Sequence, residues 1–167
     1  YLEKKILDDF EENAKLLSII EKQEYYPKKD LVAFNNFNYY PAKVINKSVF
    51  KRNNFLTINI GTEDGINEGM GVITENGVIG VIYSVSENYA LVLSFLHSKS
   101  AVGIFLKKNM QTGILKWEGF DYKKGNIKNF PNHVLLKEQD TVITSSHSMI
   151  FPEGINVGTI SSFKQEN

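Results

Sequence analysis

Hydrophobic and polar residues alternate in short segments along most of the chain, and glycine, asparagine and aspartate separate the segments. In the clearest segment, Leu56, Ile58 and Ile60 alternate with polar residues, and this period of two is typical of a half-buried strand. Closely spaced glycines follow over residues 61–71 before the next strand-like segment begins. The pattern predicts consecutive strands joined by tight turns.

Two groups of residues in this region are typical of tight turns. Asp64 lies among the glycines, where its carboxylate is expected to accept hydrogen bonds from backbone amides. Asn76 and Gly77 predict a two-residue hairpin turn with positive φ at both positions, and Val78 begins the return strand. The glycines expected to be structural in these turns and strands are Gly61, Gly65, Gly69, Gly77 and Gly80.

Ten segments of the chain have the composition of strands, and turn signals separate them at short intervals. This spacing favours a mainly β fold, a barrel or a sandwich, over an α/β fold. The predicted strands are Ala42–Val49, Phe55–Ile60, Gly71–Thr74, Val78–Val85, Ala90–Leu96, Ala101–Leu106, Gly113–Trp117, Asn126–Phe130, Thr141–Thr144 and Asn156–Phe163.

The two halves of this β region resemble each other weakly. The Val-Ile-Thr of residues 72–74 recurs at residues 142–144, and residues 78–82 are loosely matched by residues 156–160. We therefore expect two similar small barrels that meet near residues 96–100. The resulting domain plan is a helix over residues 1–24, a linker over 25–38, a first barrel over 39–96 and a second barrel over 97–163.

The first 24 residues have the pattern of an amphipathic helix that ends before Tyr26 and Pro27. Its apolar residues follow the a and d positions of a heptad, so they predict a dimerisation stripe. The residues of this stripe are Leu2, Ile6, Phe10, Asn13, Leu17 and Ile20. Two interpretations stay open: the helix packs on its own barrel, or it is the end of a parallel coiled coil in which Asn13 fixes the register.

Charge and composition exclude several classes of function. The chain has 19 basic and 19 acidic residues, which argues against nucleic acid as its main partner. It has no cysteine, and it carries no metal-binding or nucleotide-binding motif, so no cofactor is expected. No apolar run approaches the roughly 18 residues of a membrane-spanning helix. The chain begins at Tyr1 within a helical pattern, which indicates a piece of a longer protein with an anchor or signal left open upstream.

The best candidate for a catalytic group is the cluster of serines around His147. A nucleophilic serine needs a base and an orienting group nearby, and the cluster lacks a Gly-x-Ser-x-Gly elbow. We therefore favour a loop at a strand end over a hydrolase, which stays the alternative. The candidate nucleophiles are Ser145, Ser146 and Ser148. The other two histidines, His97 and His133, are distant in sequence.

Two further features have a structural and a functional interpretation. Trp117 is either an exposed stacking platform or a wedge in the core or between the barrels, and the wedge is commoner beside aliphatic residues. Glu63 and Asp64 supply two carboxylates, which we assign to the turn and not to a metal site.

Several motifs, taken in order, resemble the extracytoplasmic part of the rod shape-determining MreC family. They cover nearly the whole chain and end in a closing motif that includes Phe151, Pro152, Gly154 and Gly158. The earlier motifs are Leu16-Leu17, Tyr40–Ile45, Leu56–Gly61, Asp64–Ile66 with Gly69-Met70, Asn76–Gly80 and Asp140–Ser145. The chain departs from the family at Gln139 and Ser146, where glycine is frequent, and at Asn156, where proline is common.

The resemblance implies a protein held in the bacterial inner membrane by one upstream helix, with this part on the extracytoplasmic, periplasmic face. It implies a homodimer formed through the N-terminal coiled coil, and two β-barrels distantly similar to chymotrypsin-like proteases but without a catalytic triad. The implied function is a non-catalytic scaffold of the machinery that builds the lateral cell wall. The implied partners are MreD, the elongation penicillin-binding transpeptidase and, indirectly, the MreB filament.

A periplasmic adaptor of a transport system is a further alternative. Such adaptors carry a helical hairpin, whereas a single predicted helix leads into this chain and none returns.

Overall fold

The computed structural model describes residues 37–131, 134–148 and 150–163. Within these ranges the chain forms ten strands and two single turns of 3-10 helix, at Thr62–Asp64 and Ser146–Ser148. The strands are β1 (Val44–Lys47), β2 (Asn53–Ile58), β3 (Gly71–Thr74), β4 (Gly77–Val85), β5 (Ala90–His97), β6 (Ala101–Leu106), β7 (Gln111–Lys116), β8 (Asn126–Lys128), β9 (Thr141–Thr144) and β10 (Asn156–Thr159).

The predicted mainly β fold is confirmed, and each of the ten predicted segments overlaps a strand. Their ends differ where the backbone leaves the extended conformation. The strand predicted to reach Phe130 ends at Lys128, because Asn129 has a φ of 60°, which a strand cannot contain. The helix over residues 1–24, with the dimerisation stripe Leu2, Ile6, Phe10, Asn13, Leu17 and Ile20, lies outside the described residues, as does all of the linker except Phe37 and Asn38.

The strands form two antiparallel sheets of five strands each. The first has the order β1-β2-β5-β4-β3 and the second β10-β9-β6-β7-β8. The chain passes from one sheet to the other between His97 and Ala101. In neither sheet do the two outer strands pair with each other. Each described sheet is therefore a curled half-barrel, where the sequence predicts a small barrel.

Each sheet has its own hydrophobic core, and β4 contributes to both. Ile79 and Ile82 pack in the first core, whereas Val78 and Val81 on the opposite face of β4 pack against the second. The buried residues of the first core are Leu56, Ile58, Ile66, Ile82, Ala90 and Val92. Those of the second are Val102, Ile104, Leu106, Val134, Val142, Phe151 and Ile160. The two sheets thus pack together because strands of the first sheet, β4 among them, contribute to both cores.

The internal sequence similarity does not correspond to a structural repeat. Residues 72–74 belong to β3, an outer strand of the first sheet, whereas residues 142–144 belong to β9, which lies between β10 and β6. The two Val-Ile-Thr segments therefore have different neighbours. They share a high strand propensity, and β-branched residues fit a pleated surface in many positions.

The hairpin between β3 and β4 turns one residue earlier than predicted. Thr74 pairs with Gly77, so Glu75 and Asn76 are the central residues of the turn. Within the described ranges, the non-glycine residues with positive φ are Met110, Asn129 and Gln139, so Asn76 lacks the predicted left-handed conformation. Gly77 is instead the first residue of β4, with a φ of 135°.

Candidate functional site

The outer strands of the first sheet, β1 and β3, both line an open groove of about 1320 Å³. Its floor is formed by side chains of the first core, including Leu56, Ile58 and Ile82. The segment before β1, residues 37–43, forms one wall, and residues 150–152 of the second half of the chain also line it. The groove is thus the open side of the first half-barrel.

The lining of this groove is predominantly apolar and remains accessible. Phe37, Tyr39, Tyr40 and Ile45 are large apolar residues that line the groove and are exposed. Partial burial raises the pKa of Tyr39, which therefore remains a neutral phenol near pH 7. A contiguous exposed apolar surface of this kind typically marks a binding site for another molecule.

The strands beside the groove are the outer strands of the described sheet. Among the described strands, β1 pairs only with β2 and β3 pairs only with β4. A Cβ atom placed on Gly71 would lie 2.6 Å from Cε1 of Phe151, so the second half of the chain covers the start of β3. Among the described residues, the edge of β1 is therefore more accessible than the edge of β3. An open edge beside an apolar floor is suited to binding an extended peptide as an added strand.

The glycine-rich turn after β2 supports the rim of the groove. The Asp64 carboxylate accepts a hydrogen bond of 2.9 Å from the backbone N–H of Gly61. Gly65, with a φ of 84°, faces the Tyr40 ring, whose hydroxyl oxygen lies 3.5 Å from the position of a Cβ on Gly65. Ile66, the next residue, enters the first core. The turn thus fixes the wall that carries Tyr40.

The other predicted turn residues divide into those that line the groove and those that lie elsewhere. Gly69, Asn76, Phe151 and Pro152 line the groove. Gly80 lies inside β4, Gly154 lies in the loop before β10, and Gly158 lies in β10. Pro152 is held by Thr144, whose hydroxyl donates a hydrogen bond of 2.5 Å to the Pro152 carbonyl.

The serine cluster does not border the groove. Ser145 is 2% exposed, and its backbone N–H donates to the Gly103 carbonyl over 3.0 Å. The His147 ring stacks edge-on against Phe105, with centroids 5.3 Å apart. His133 lies outside the described residues. Neither Ser145, Ser146 nor His147 is among the residues that line the groove.

His97 is buried at the end of β5, in the first sheet. Its Nδ1 accepts a hydrogen bond of 3.0 Å from the backbone N–H of Lys99, and its ring packs edge-on against Phe55. Burial, and secondarily the charge of Lys99, lower the pKa of His97, so the ring is neutral at neutral pH. In the described part of the chain, no three histidine or acidic side chains converge where a metal ion would fit.

Trp117 serves a local role. Its Nε1–H donates a hydrogen bond of 2.8 Å to the Asp121 carbonyl, which holds the loop between β7 and β8. The half-buried indole is therefore a loop anchor, and neither predicted role, platform nor wedge, describes it.

Sequence reasoning did not identify the groove residues Phe37, Tyr39 and Ile45. The available signal was the run of aromatic residues before the first strand and an apolar residue on the outward face of β1. These residues form a groove only because the curl of the sheet brings β1 and β3 to the same opening. That curl depends on pairing between segments that are distant in sequence.

Comparisons with known proteins all identify the same family. Residues 44–167 match the family described as "Rod shape-determining protein MreC, barrel core". The cell shape-determining protein MreC of Listeria monocytogenes is 30% identical over 122 residues, which are 71% of this chain and 41% of that protein. MreC of Escherichia coli is 28% identical over 109 residues, 65% of this chain and 29% of that protein. The chain thus spans well under half the length of these relatives.

Solved structures show the same fold. The structure of MreC from Listeria monocytogenes aligns with a TM-score of 0.67 at 27% identity and covers 96% of this chain and 74% of that one. The crystal structure of MreC from Pseudomonas aeruginosa aligns with a TM-score of 0.64 at 21% identity, over 72% of this chain and 77% of that one. Across the described ranges, no helix is both long and apolar enough to span a bilayer. This chain therefore belongs to the rod shape-determining MreC family and contains the barrel core of that family.

Proposed function

We propose that this chain is the extracytoplasmic part of a scaffold that controls bacterial cell shape by binding proteins of peptidoglycan synthesis, without catalysing a reaction itself. The observation that carries the proposal is the apolar groove beside the edge of β1. Membership of a shape-determining family supports the cellular role.

The groove suits a partner that contributes an extended, apolar segment. Among the described strands, none lies beside Val44–Asn46 on the outer side of β1, which suits strand addition, while Ile45 and Tyr40 offer apolar contacts at the rim. Main-chain hydrogen bonds would supply affinity, and the side-chain contacts would supply specificity. We infer that the partner is the elongation penicillin-binding transpeptidase or MreD, with MreB connected indirectly. Binding that favours an active conformation of the synthase would couple the scaffold to wall growth.

We further propose that an upstream helix anchors the protein in the inner membrane, and that residues 1–24 form a coiled coil that pairs two copies. Phe10 and Leu17 are central to its predicted apolar stripe. Sedimentation of a chain extended upstream is expected to show a dimer that Phe10→Asp and Leu17→Asp dissociate. A wild-type extended chain that stays monomeric at roughly tens of micromolar would contradict the coiled coil.

The groove is tested by titrating this chain with the soluble extracytoplasmic part of the transpeptidase in a calorimeter. Ile45→Asp places a charge in the groove and is expected to weaken binding at least about tenfold, as loss of an interface hot spot does. Tyr89→Asp is the matched control, because Ile45 and Tyr89 are both 51% exposed and Tyr89 does not line the groove. Absence of binding, or equal losses in both variants, would refute the assignment.

A further inference from the structure

Three loops from both sheets meet at one end of the molecule. They are residues 48–52 between β1 and β2, residues 98–100 between β5 and β6, and residues 117–125 between β7 and β8. The backbone N–H of Ser98 donates to the Arg52 carbonyl over 3.1 Å. A Cβ atom on Gly119 would lie 3.6 Å from Cγ of Arg52. All three loops therefore touch at Arg52, and we call this surface the loop end.

Aromatic side chains protrude from two of these loops. Phe120 is 90% exposed and Phe50 is 68% exposed, and each lies within two residues of the contact between Arg52 and Gly119. Tyr122 is exposed as well. A phenyl ring has no polar group, so water gives it no compensating hydrogen bond. Two such rings on loops in contact indicate a surface that is covered by an apolar environment during function.

The loops that carry these rings have an excess of basic residues, although the whole chain is neutral. The two acidic residues of the loop end are already paired: Glu118 lies 3.4 Å from Lys128, and Asp121 lies 3.8 Å from Lys124. Within the described ranges, the remaining basic residues of the loop end make no ion pair. These residues are Lys51, Arg52, Lys99 and Lys123.

Partly buried hydrogen bonds hold these loops in place. Asn54 is fully buried, and its side chain bonds to both the N–H and the carbonyl of Lys51 and to the carbonyl of Leu96. Trp117 bonds to the Asp121 carbonyl and holds the loop of Phe120. Because the rings are carried on braced loops, binding would cost little additional ordering entropy.

We propose that the loop end binds the surface of a bilayer that contains anionic phospholipids. Phe50 and Phe120 insert at the boundary between headgroups and acyl chains, where an aromatic ring escapes water. The basic side chains lie above them and contact the lipid phosphates, which concentrate negative charge at the same depth. A soluble anionic polymer would satisfy the charges but would leave both phenyl rings in water, so the bilayer fits the whole surface better.

The test is co-sedimentation of this chain with vesicles of phosphatidylglycerol and phosphatidylcholine, compared with vesicles of phosphatidylcholine alone. The loop-end variants below show whether these loops hold the protein on the vesicles. Preferential binding to the anionic vesicles is expected, and it should weaken as salt screens the charges. Trp117 is the only tryptophan of the sequence and belongs to the loop end, so its fluorescence should shift to shorter wavelength on binding.

Variants separate the apolar from the electrostatic contribution. Combined Phe50→Ser and Phe120→Ser should lower the partition coefficient at least about tenfold, because two rings no longer leave water. Combined Lys51→Gln and Arg52→Gln should lower it about fivefold per charge. Leu135→Ser is the matched control: Leu135 is 76% exposed and lies in a different loop, between β8 and β9, so its loss should leave binding unchanged.

Three outcomes would overturn the proposal. One is the absence of binding to anionic vesicles. A second is binding that survives the combined Phe50→Ser and Phe120→Ser variant, whose exposed positions leave the fold intact. The third is equal affinity for soluble polyglutamate and for the vesicles, which would assign the surface to an anionic polymer. None of these outcomes bears on the groove of the first sheet.

Discussion

The backbone carbonyl of Asn156 in the second sheet leaves no room for a side chain on Gly77 in the first. A Cβ atom on Gly77 would lie 2.4 Å from the Asn156 oxygen, and the φ of Gly77 is 135°. We expect Gly77→Ala to lower the free energy of unfolding by about 3 kcal/mol, because the clash adds to the strain of an unfavourable φ. Urea unfolding measures the loss.

Gly69→Ala is the matched control for this substitution. Gly69 also has a positive φ, 86°, but nothing lies within 4 Å of a Cβ placed there. The free energy of unfolding of Gly69→Ala should fall by only about 1 kcal/mol, which is the cost of the left-handed conformation for alanine. Equal losses in the two variants would show that the contact with Asn156 is unimportant.

Thr144 is fully buried and joins β9 to the loop before β10. Its hydroxyl donates to the Pro152 carbonyl and accepts from the backbone N–H of Ile155 over 2.9 Å. Thr144→Val keeps the shape but leaves both backbone groups without this partner, so stability should fall by about 2 kcal/mol. Thr144→Ser keeps the hydroxyl and should lose less. If Thr144→Ser is the more damaging variant, the methyl group and not the hydrogen bonds stabilises this loop.

Asn54 holds the loop that carries Phe50 by hydrogen bonds. Its amide makes three hydrogen bonds, two to Lys51 and one to Leu96. Asn54→Ala removes all three in a buried position, and we expect a loss of about 3 kcal/mol in the free energy of unfolding. At a temperature where the variant remains folded, amide exchange at Lys51 should also accelerate. Unchanged exchange would show that Asn54 does not brace the loop.

Stability should depend on pH through His97. Its pKa is lowered in the folded chain, so the unfolded chain binds a proton more readily and protonation favours unfolding. The free energy of unfolding should therefore be constant above about pH 6.5 and decline as the pH falls from there toward the lowered pKa. His97→Asn keeps an acceptor near the Lys99 N–H and should remove this decline. An equal decline in the variant would assign it to other groups.

The strands were predictable because their signal is local. Alternation in Leu56–Ile60 reports burial on one face of a strand, and the β-branched residues of β3 favour a strand by propensity, in both cases without reference to the rest of the chain. The turn at Asn76 was misplaced by one residue because the requirement for glycine at Gly77 comes from Asn156, nearly eighty positions away. The same limit explains why the buried role of Asn54 was not predictable, because its partner Leu96 is 42 positions away.

The candidate groove could not be predicted because it depends on strand order. Both sheets contain a pairing between segments far apart in sequence, β2 with β5 and β6 with β9. The repeated Val-Ile-Thr suggested equivalent halves, but these pairings place β3 at an edge and β9 inside its sheet. Residue patterns indicate which face of a strand is buried, and they do not indicate which strand lies beside it.

The two faces of β4 have a consequence for how this module responds to heat and to mechanical load. Removing β4 from either half would strip hydrophobic cover from the other, so neither half is expected to melt alone, and calorimetry should record a single transition. A force applied to one half would then be transmitted to the other through the side chains of β4.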